Sequence, residues 1–173
     1  MRHLIHLVCG STGAGKTTYA LQLAARLKGV RFSIDEWMSA LYWMDSPKPV
    51  QAAWSLERVE RCYSQIWSTA VQVAECGTPC VLDLGFSQAA SRARFYEGAR
   101  AAALSCQLHF VDVPREERWR RVVSRNSGKG GVQQLSFEVS RDMFDFVESM
   151  WEPPGADEMA AHDGVNPALT PPE

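Results

Sequence analysis

The stretch LIHLVCGSTGAGKTTYA, residues 4–20, decides the reading of this chain. Its first part, HLIHLVC at 3–9, is apolar apart from two histidines and reads as a short buried strand. The next residues are poor in side chains and end on one lysine. Gly10 to Thr17 fits the spacing G-x-x-x-x-G-K-[ST]. The match begins where the strand ends and stops where a helix begins, which is the context the pattern requires. Glycines let the main chain wrap closely, so the N–H groups of Gly10, Ser11, Thr12, Gly13, Ala14 and Gly15 can point inward as an anion nest. The helix start at Lys16, Thr17 and Thr18 adds unpaired donors and a favourable dipole. Lys16 supplies a positive charge for β- and γ-phosphates, and Thr17 a hydroxyl for Mg2+.

Working outward, Ala20, Leu23, Ala24 and Leu27 recur at helical spacing, and Gly29 is a natural stop for a helix over 15–29. VRFS at 30–33 is a second strand. Residues 34–44 read as a short helix, which SPKP ends. A long helix over 50–76 keeps Val59, Cys62, Tyr63, Ile66, Ala70 and Val73 on one face. PCVLDLGF at 79–86 is a third strand with no polar residue before Asp83. A helix over 87–103, a strand over 105–113, a helix opened by Pro114 and a last helix over 136–151 complete the order. This alternation predicts an α/β fold, a parallel sheet with helices on both faces. A fifth strand near 162–165 is weakly signalled, so four or five strands are expected. The chain reads as one domain over 1–152, with a partly ordered tail over 153–173 that holds five of the nine prolines.

Composition narrows the classes. The chain has 173 residues, 46% apolar, with net charge −2. That is enough for one real core, and it supplies no global field for nucleic acid or membrane. No apolar run approaches the ~18 residues of a membrane span, and MRHLIHLVCGST lacks the small-residue cleavage site of a signal peptide. Five cysteines, an odd number, read as reduced thiols, so the expected location is cytoplasmic.

A phosphate loop alone does not distinguish a kinase from a motor or a GTPase. There is no N-K-x-D for guanine, and no aspartate-glutamate pair closing an apolar strand, as a water-polarising ATPase would have. Asp83 ends the third strand alone and could hold Mg2+ through water. RFSIDEWM at 31–38 sets Asp35 just past the second strand, at the sheet edge where ligands bind. A carboxylate there can take a hydroxyl proton as that hydroxyl attacks the γ-phosphate. Glu36 competes for that role, and Asp35 would equally serve as a helix N-cap. In REERWRRVVSRNSGKGG, Arg118, Arg121 and Arg125 fall on one helical face beside Trp119, Val122 and Val123, ahead of a glycine-rich stretch. Residues 115–131 therefore read as a lid that closes over phosphates. Trp37, Tyr42, Trp43 and Trp54 lie near Asp35 in sequence and could wall an acceptor pocket. Asp35, Glu36 and Asp45 would favour a cationic acceptor such as an aminoglycoside. A long nucleic acid is disfavoured, because no basic track extends beyond the lid.

GSTGAGKTT, FSIDEWM, VLDLGF with SRARF, RWRRVVSRN and DFVESMWEPPGADE together resemble the small P-loop kinases. That group includes the kinase domain of phage polynucleotide kinase, chloramphenicol phosphotransferase and zeta-toxin-like kinases, and the likeness is strongest to its members called AAA family ATPases. It spans about residues 4–158. The resemblance implies a P-loop NTPase kinase-like fold with a helical lid, ATP and Mg2+ as cofactors, and phosphate transfer to a hydroxyl. It implies Asp35 as base, Lys16 and Thr17 for phosphates and Mg2+, and Arg121 and Arg125 as lid arginines. It also implies Arg125 and Asn126 near adenine or phosphates, Arg92 and Arg94 facing the acceptor, and EPPGADE near the base. The expected function is an ATP-dependent kinase of a small hydroxyl compound. A polynucleotide, nucleoside or toxin-like kinase, or a slow ATP-binding regulator, are the alternatives.

Overall fold

Burial decides which residues of the opening stretch become a strand. Ile5–Cys9 are all buried and form β1. The structure, a computed structural model, describes residues 4–127 and 138–167. After β1 come α1 (Lys16–Leu27), β2 (Val30–Ser33) and α2 (Ile34–Leu41), then a 3-10 turn at Trp43–Asp45 and α3 (Ala52–Glu75). Next along the chain are β3 (Cys80–Asp83), α4 (Ala89–Ala101), β4 (Cys106–Phe110), α5 (Arg115–Asn126), α6 (Arg141–Ser149) and α7 (Ala156–Ala161). The strands form one sheet in the order β2-β3-β1-β4. Every pairing is parallel, with Ile5 opposite both Cys80 and Cys106. This is the P-loop NTPase kinase-like α/β fold expected from the sequence. The weakly signalled fifth strand reduces to one parallel bridge, His109 to Val165, beside β4. The predicted helix start at 136–137, the glycine-rich stretch at 128–131 and the tail at 168–173 lie outside the described residues.

Alternation along β1 sorts the two helical layers. Ile5, Leu7 and Cys9 pack with Cys62, Ile66, Ala70 and Ala74 of α3 and Phe95 of α4. Val8 faces the other way, onto Ala20, Leu23 and Ala24 of α1. His6 shares that second face in a buried chain of bonds. Its Nδ1 lies 3.0 Å from His109 Nε2, and Tyr19 Oη lies 2.7 Å from His109 Nδ1. A third, smaller cluster of Val122, Val139 and Phe144, with Trp119 against it, joins α5 to α6. Because the strands are parallel, the ends of β1, β2 and β3 open on one edge. There the glycine loop, Asp35 and Asp83 converge.

Arg92 corrects the reading of α4. Its side chain is 0% exposed and faces no acceptor. Nε donates to Glu158 Oε1 at 2.6 Å and Nη2 to Oε2 at 2.9 Å, while Nη1 donates to the carbonyls of Phe86 and Glu152. Tyr96 Oη donates to the same Glu158. This fork ties α7 to α4 and, through Phe86 O, to the turn after β3, so the segment after 152 packs on the domain. Arg94 also turns away, onto Glu60 at 2.5 Å. Removing one partner of a buried fork strands the other charge. Glu158→Ala is therefore expected to cost about 3 kcal/mol or more of stability. Nucleotide affinity should hold. A thermal melt beside an ATP-binding titration checks both, and an unchanged melting temperature would count against the tie.

Candidate functional site

Gly15 is the N-cap of α1 in the left-handed region, and no side chain bonds the helix start. The first turn carries no acid either, so its donors remain for an anion. Gly13 has φ +80°, and a Cβ there would lie 2.5 Å from the carbonyl oxygen of Arg118. The loop and α5 thus touch through main chain, at a contact only glycine permits. Gly13→Ala should cost at least about 1–2 kcal/mol from backbone handedness alone, push α5 off the loop and weaken ATP binding. A melt and a binding titration of that variant test this, and wild-type values in both would refute it.

Four side chains, Lys16, Arg121, Glu148 and Arg118, hold the loop in place. Lys16 Nζ donates to Ser11 O at 3.2 Å, and Arg121 Nη1 to Ala14 O at 3.1 Å. Ser11 Oγ donates to Glu148 Oε2 at 2.7 Å. Glu148 is also gripped by Arg118, through Nη1 at 2.8 Å and Nη2 at 2.6 Å, and these bonds hold its carboxyl below the usual range. Arg118 further donates to Val113 O and Thr12 O. It is buried, so the three-arginine face expected on α5 is divided: Arg118 latches α5 and α6 to the loop, while Arg121 and Arg125 line the cleft. Nη2 of Arg125 is buried with no hydrogen-bond partner among the described residues. An orphaned guanidinium donor beside an uncapped helix start suits a polyphosphate. Asn126 does not line the cleft. Its amide bonds both the N–H and the C=O of Val139, fixing the chain ahead of α6.

The acidic side is built from β2 and β3. Ser33, not Asp35, is the N-cap of α2, its Oγ accepting from Glu36 N at 3.4 Å. S-x-x-E at 33–36 is the capping-box spacing that signals it. Asp35 is thereby released to the cleft, which it lines with Lys16 and Asp83. Glu36 turns to Arg31 Nη1 at 2.8 Å. Arg31 also grips Asp83 Oδ2 through Nε at 3.3 Å and Nη2 at 3.1 Å, which leaves Oδ1 as the oxygen able to face a cation. Burial and the neighbouring Asp83 raise the Asp35 pKa against the pull of Lys16 and Arg125. Burial likewise lowers that of Lys16, opposed by Asp83 and Asp35. Thr17 lines the same cleft and, with Asp83, offers the oxygen donors a hard divalent cation takes.

The cleft holds about 870 Å3. The loop and α5 form one side. Ile34, Asp35, Met38 and Ser39 of α2, with Trp43, Val50, Trp54 and Ser55, form another. Trp43 and Trp54 line it, while Trp37 and Tyr42 pack against the main core and do not. Asp45, Arg92 and Arg94 are not among its lining residues, nor is any residue of EPPGADE, which packs beside α4. After α6 only Pro167 of the described residues reaches it. Sequence reasoning missed Met38, Ser39, Val50 and Ser55. Helical spacing from Asp35 (i, i+3, i+4) could have found the first two.

A family model described as AAA domain matches residues 5–150, and the chain belongs to that family. No curated protein matches it. Solved structures share the fold at low identity. A sugar kinase from Janibacter sp. has a TM-score of 0.65 at 16% identity, covering 95% of this chain and 84% of its own. Kti12 from Chaetomium thermophilum, in complex with ADP-AlF3, has a TM-score of 0.64 at 19% identity, covering 87% and 81%. The Mycobacterium tuberculosis APS kinase CysC, in complex with AMPPNP and APS, has a TM-score of 0.55 at 18% identity, covering 86% and 95%. No helix among the described residues is long and apolar enough to cross a membrane.

Proposed function

We propose that this chain is an ATP-dependent kinase that moves the γ-phosphate of ATP to a hydroxyl group of a small organic molecule. The observation that carries the reading is one cleft with two unlike sides. Lys16, the uncapped helix start, Arg121 and Arg125 offer a cradle for phosphates, and Asp35 faces them from α2. Three solved structures with this fold are a sugar kinase, an APS kinase and a protein holding ADP-AlF3, which agrees with nucleotide chemistry.

The work is divided among the lining residues. The loop N–H groups and Lys16 bind the β- and γ-phosphates. Thr17 and Asp83 would hold Mg2+, which neutralises phosphate charge when bound. Asp35 orients the acceptor hydroxyl and takes its proton as the new O–P bond forms and the bond from Pγ to the β,γ-bridging oxygen breaks. Arg121 and Arg125 stabilise charge on the transferring group. The test is transfer of radiolabelled γ-phosphate by the purified protein to sugars, nucleosides, aminoglycosides, aromatic alcohols and a 5′-hydroxyl oligonucleotide. Labelled product from one class supports the kinase. ATP binding with no labelled product from any class would instead mark an ATP-binding regulator.

A further inference from the structure

The acceptor side of the cleft has a composition that selects among hydroxyl compounds. Its walls are Ile34, Met38, Trp43, Val50 and Trp54, with Ser39 and Ser55 as neutral hydroxyls. Asp35 is the charged residue of that side. The cations lining the cleft are Lys16, Arg121 and Arg125, which stand on the loop and on α5. The other nearby cations are already paired with carboxylates. Arg31 holds Asp83 and Glu36, Arg92 holds Glu158 and Arg94 holds Glu60. Arg58 stacks on Trp54 at 4.2 Å and pairs with Glu57. The apolar wall also continues to the surface, since Trp43 and Val50 line the cleft while 42% and 50% exposed. Apolar side chains that line a cleft give it walls suited to the apolar body of a small molecule.

We infer that the acceptor has an apolar, ring-bearing body and no net negative charge, being neutral or cationic. This rests on the kinase reading for its chemistry, though not for its binding preference. Aromatic and aliphatic walls favour a flat or alicyclic body. An anionic acceptor would meet the Asp35 carboxylate, while the cation against that wall, Arg58 on Trp54, is already paired with Glu57. Lys16 and Arg125 are the groups that could offset an anion there, because both interact with Asp35. The orphaned Arg125 donor is better matched by the transferring phosphate, whose charge needs it.

The experiment uses three alcohols of one shape: 4-methylbenzyl alcohol, 4-(aminomethyl)benzyl alcohol and 4-(hydroxymethyl)benzoate. Binding is measured by equilibrium dialysis with Mg2+ and a non-hydrolysable ATP analogue, and transfer by label from ATP. The neutral and cationic probes should bind about tenfold or more tighter than the carboxylate. Trp43→Ala should weaken those two, and Asp35→Asn should narrow the gap to the carboxylate. Equal or tighter binding of the carboxylate would overturn the inference and make Lys16 or Arg125 the acceptor anchor. So would failure of all three to bind. The two readings separate cleanly. Preferential binding keeps the pocket whatever the label shows, and the kinase is removed when neither these probes nor any acceptor class named above is labelled. Labelled product from the carboxylate alone does the reverse.

Discussion

Lys16→Ala is expected to lower phosphate transfer by about a hundredfold to a thousandfold, the scale of losing one preorganised stabiliser of transition-state charge. The lysine is half-buried, close enough to Asp35 and Asp83 to feel both, and held to the loop through Ser11 O. It therefore needs no reorganisation when phosphates arrive. Arg121→Ala should cost less. Its side chain is 47% exposed, and Glu117 already neutralises part of its charge. The protein should not lose stability with Lys16. Burial lowers its pKa, so folding disfavours the charged form, and that penalty disappears with the side chain. The expected pattern is lost transfer with an unchanged or higher melting temperature. A larger loss for Arg121→Ala, read in the same transfer assay, would show that α5 rather than the loop carries the phosphate charge.

The contrast between residues legible in the sequence and those that were not has a physical basis. The glycine loop was legible because its chemistry is local: three glycines, a lysine and a helix start lie within eight residues. Asp35 was legible because a strand end in a parallel sheet has a known side. Arg92 was not. A guanidinium two turns from a strand reads as surface until Glu158, 66 residues later, closes on it. Asn126 and Arg118 mislead in the same way, since a helical wheel shows which residues share a face but not what meets that face. Trp37 and Trp43 are six residues apart, and only the packing of α2 on α3 separates core from cleft. Prolines make the tail read as partly ordered, and composition could not show α7 within it. Order there comes from the buried fork on Glu158 and the bridge to β4.

Asp35→Asn is expected to lower transfer by about a hundredfold to ten thousandfold, the range for removing a general base, and yet to stabilise the protein. Both effects have their origin in one placement. The carboxylate sits in the cleft beside Asp83, where burial first and that neighbour second raise its pKa above the ordinary carboxylate value. A carboxyl with a raised folded pKa binds its proton more tightly in the native state than in the unfolded chain. Its contribution is most favourable at pH below the unfolded value of about 3.9. It is lost as pH rises through the raised folded value. Above that raised value the ionised Asp35 is thus a native-state penalty that Lys16 and Arg125 offset only in part. The isosteric amide removes it. Melts of the ligand-free wild-type and variant proteins should show the variant ahead at pH 7. The gap should close as pH falls through the raised value and vanish near pH 3 to 4, where both side chains are neutral. Glu36→Gln makes the control. Its carboxylate pairs with Arg31, so the variant should keep most of its transfer activity and gain no stability. Were Glu36→Gln the more damaging for transfer, the base would have to be reassigned to Glu36, and an Asp35→Asn protein less stable at neutral pH would refute the penalty on the ionised carboxylate.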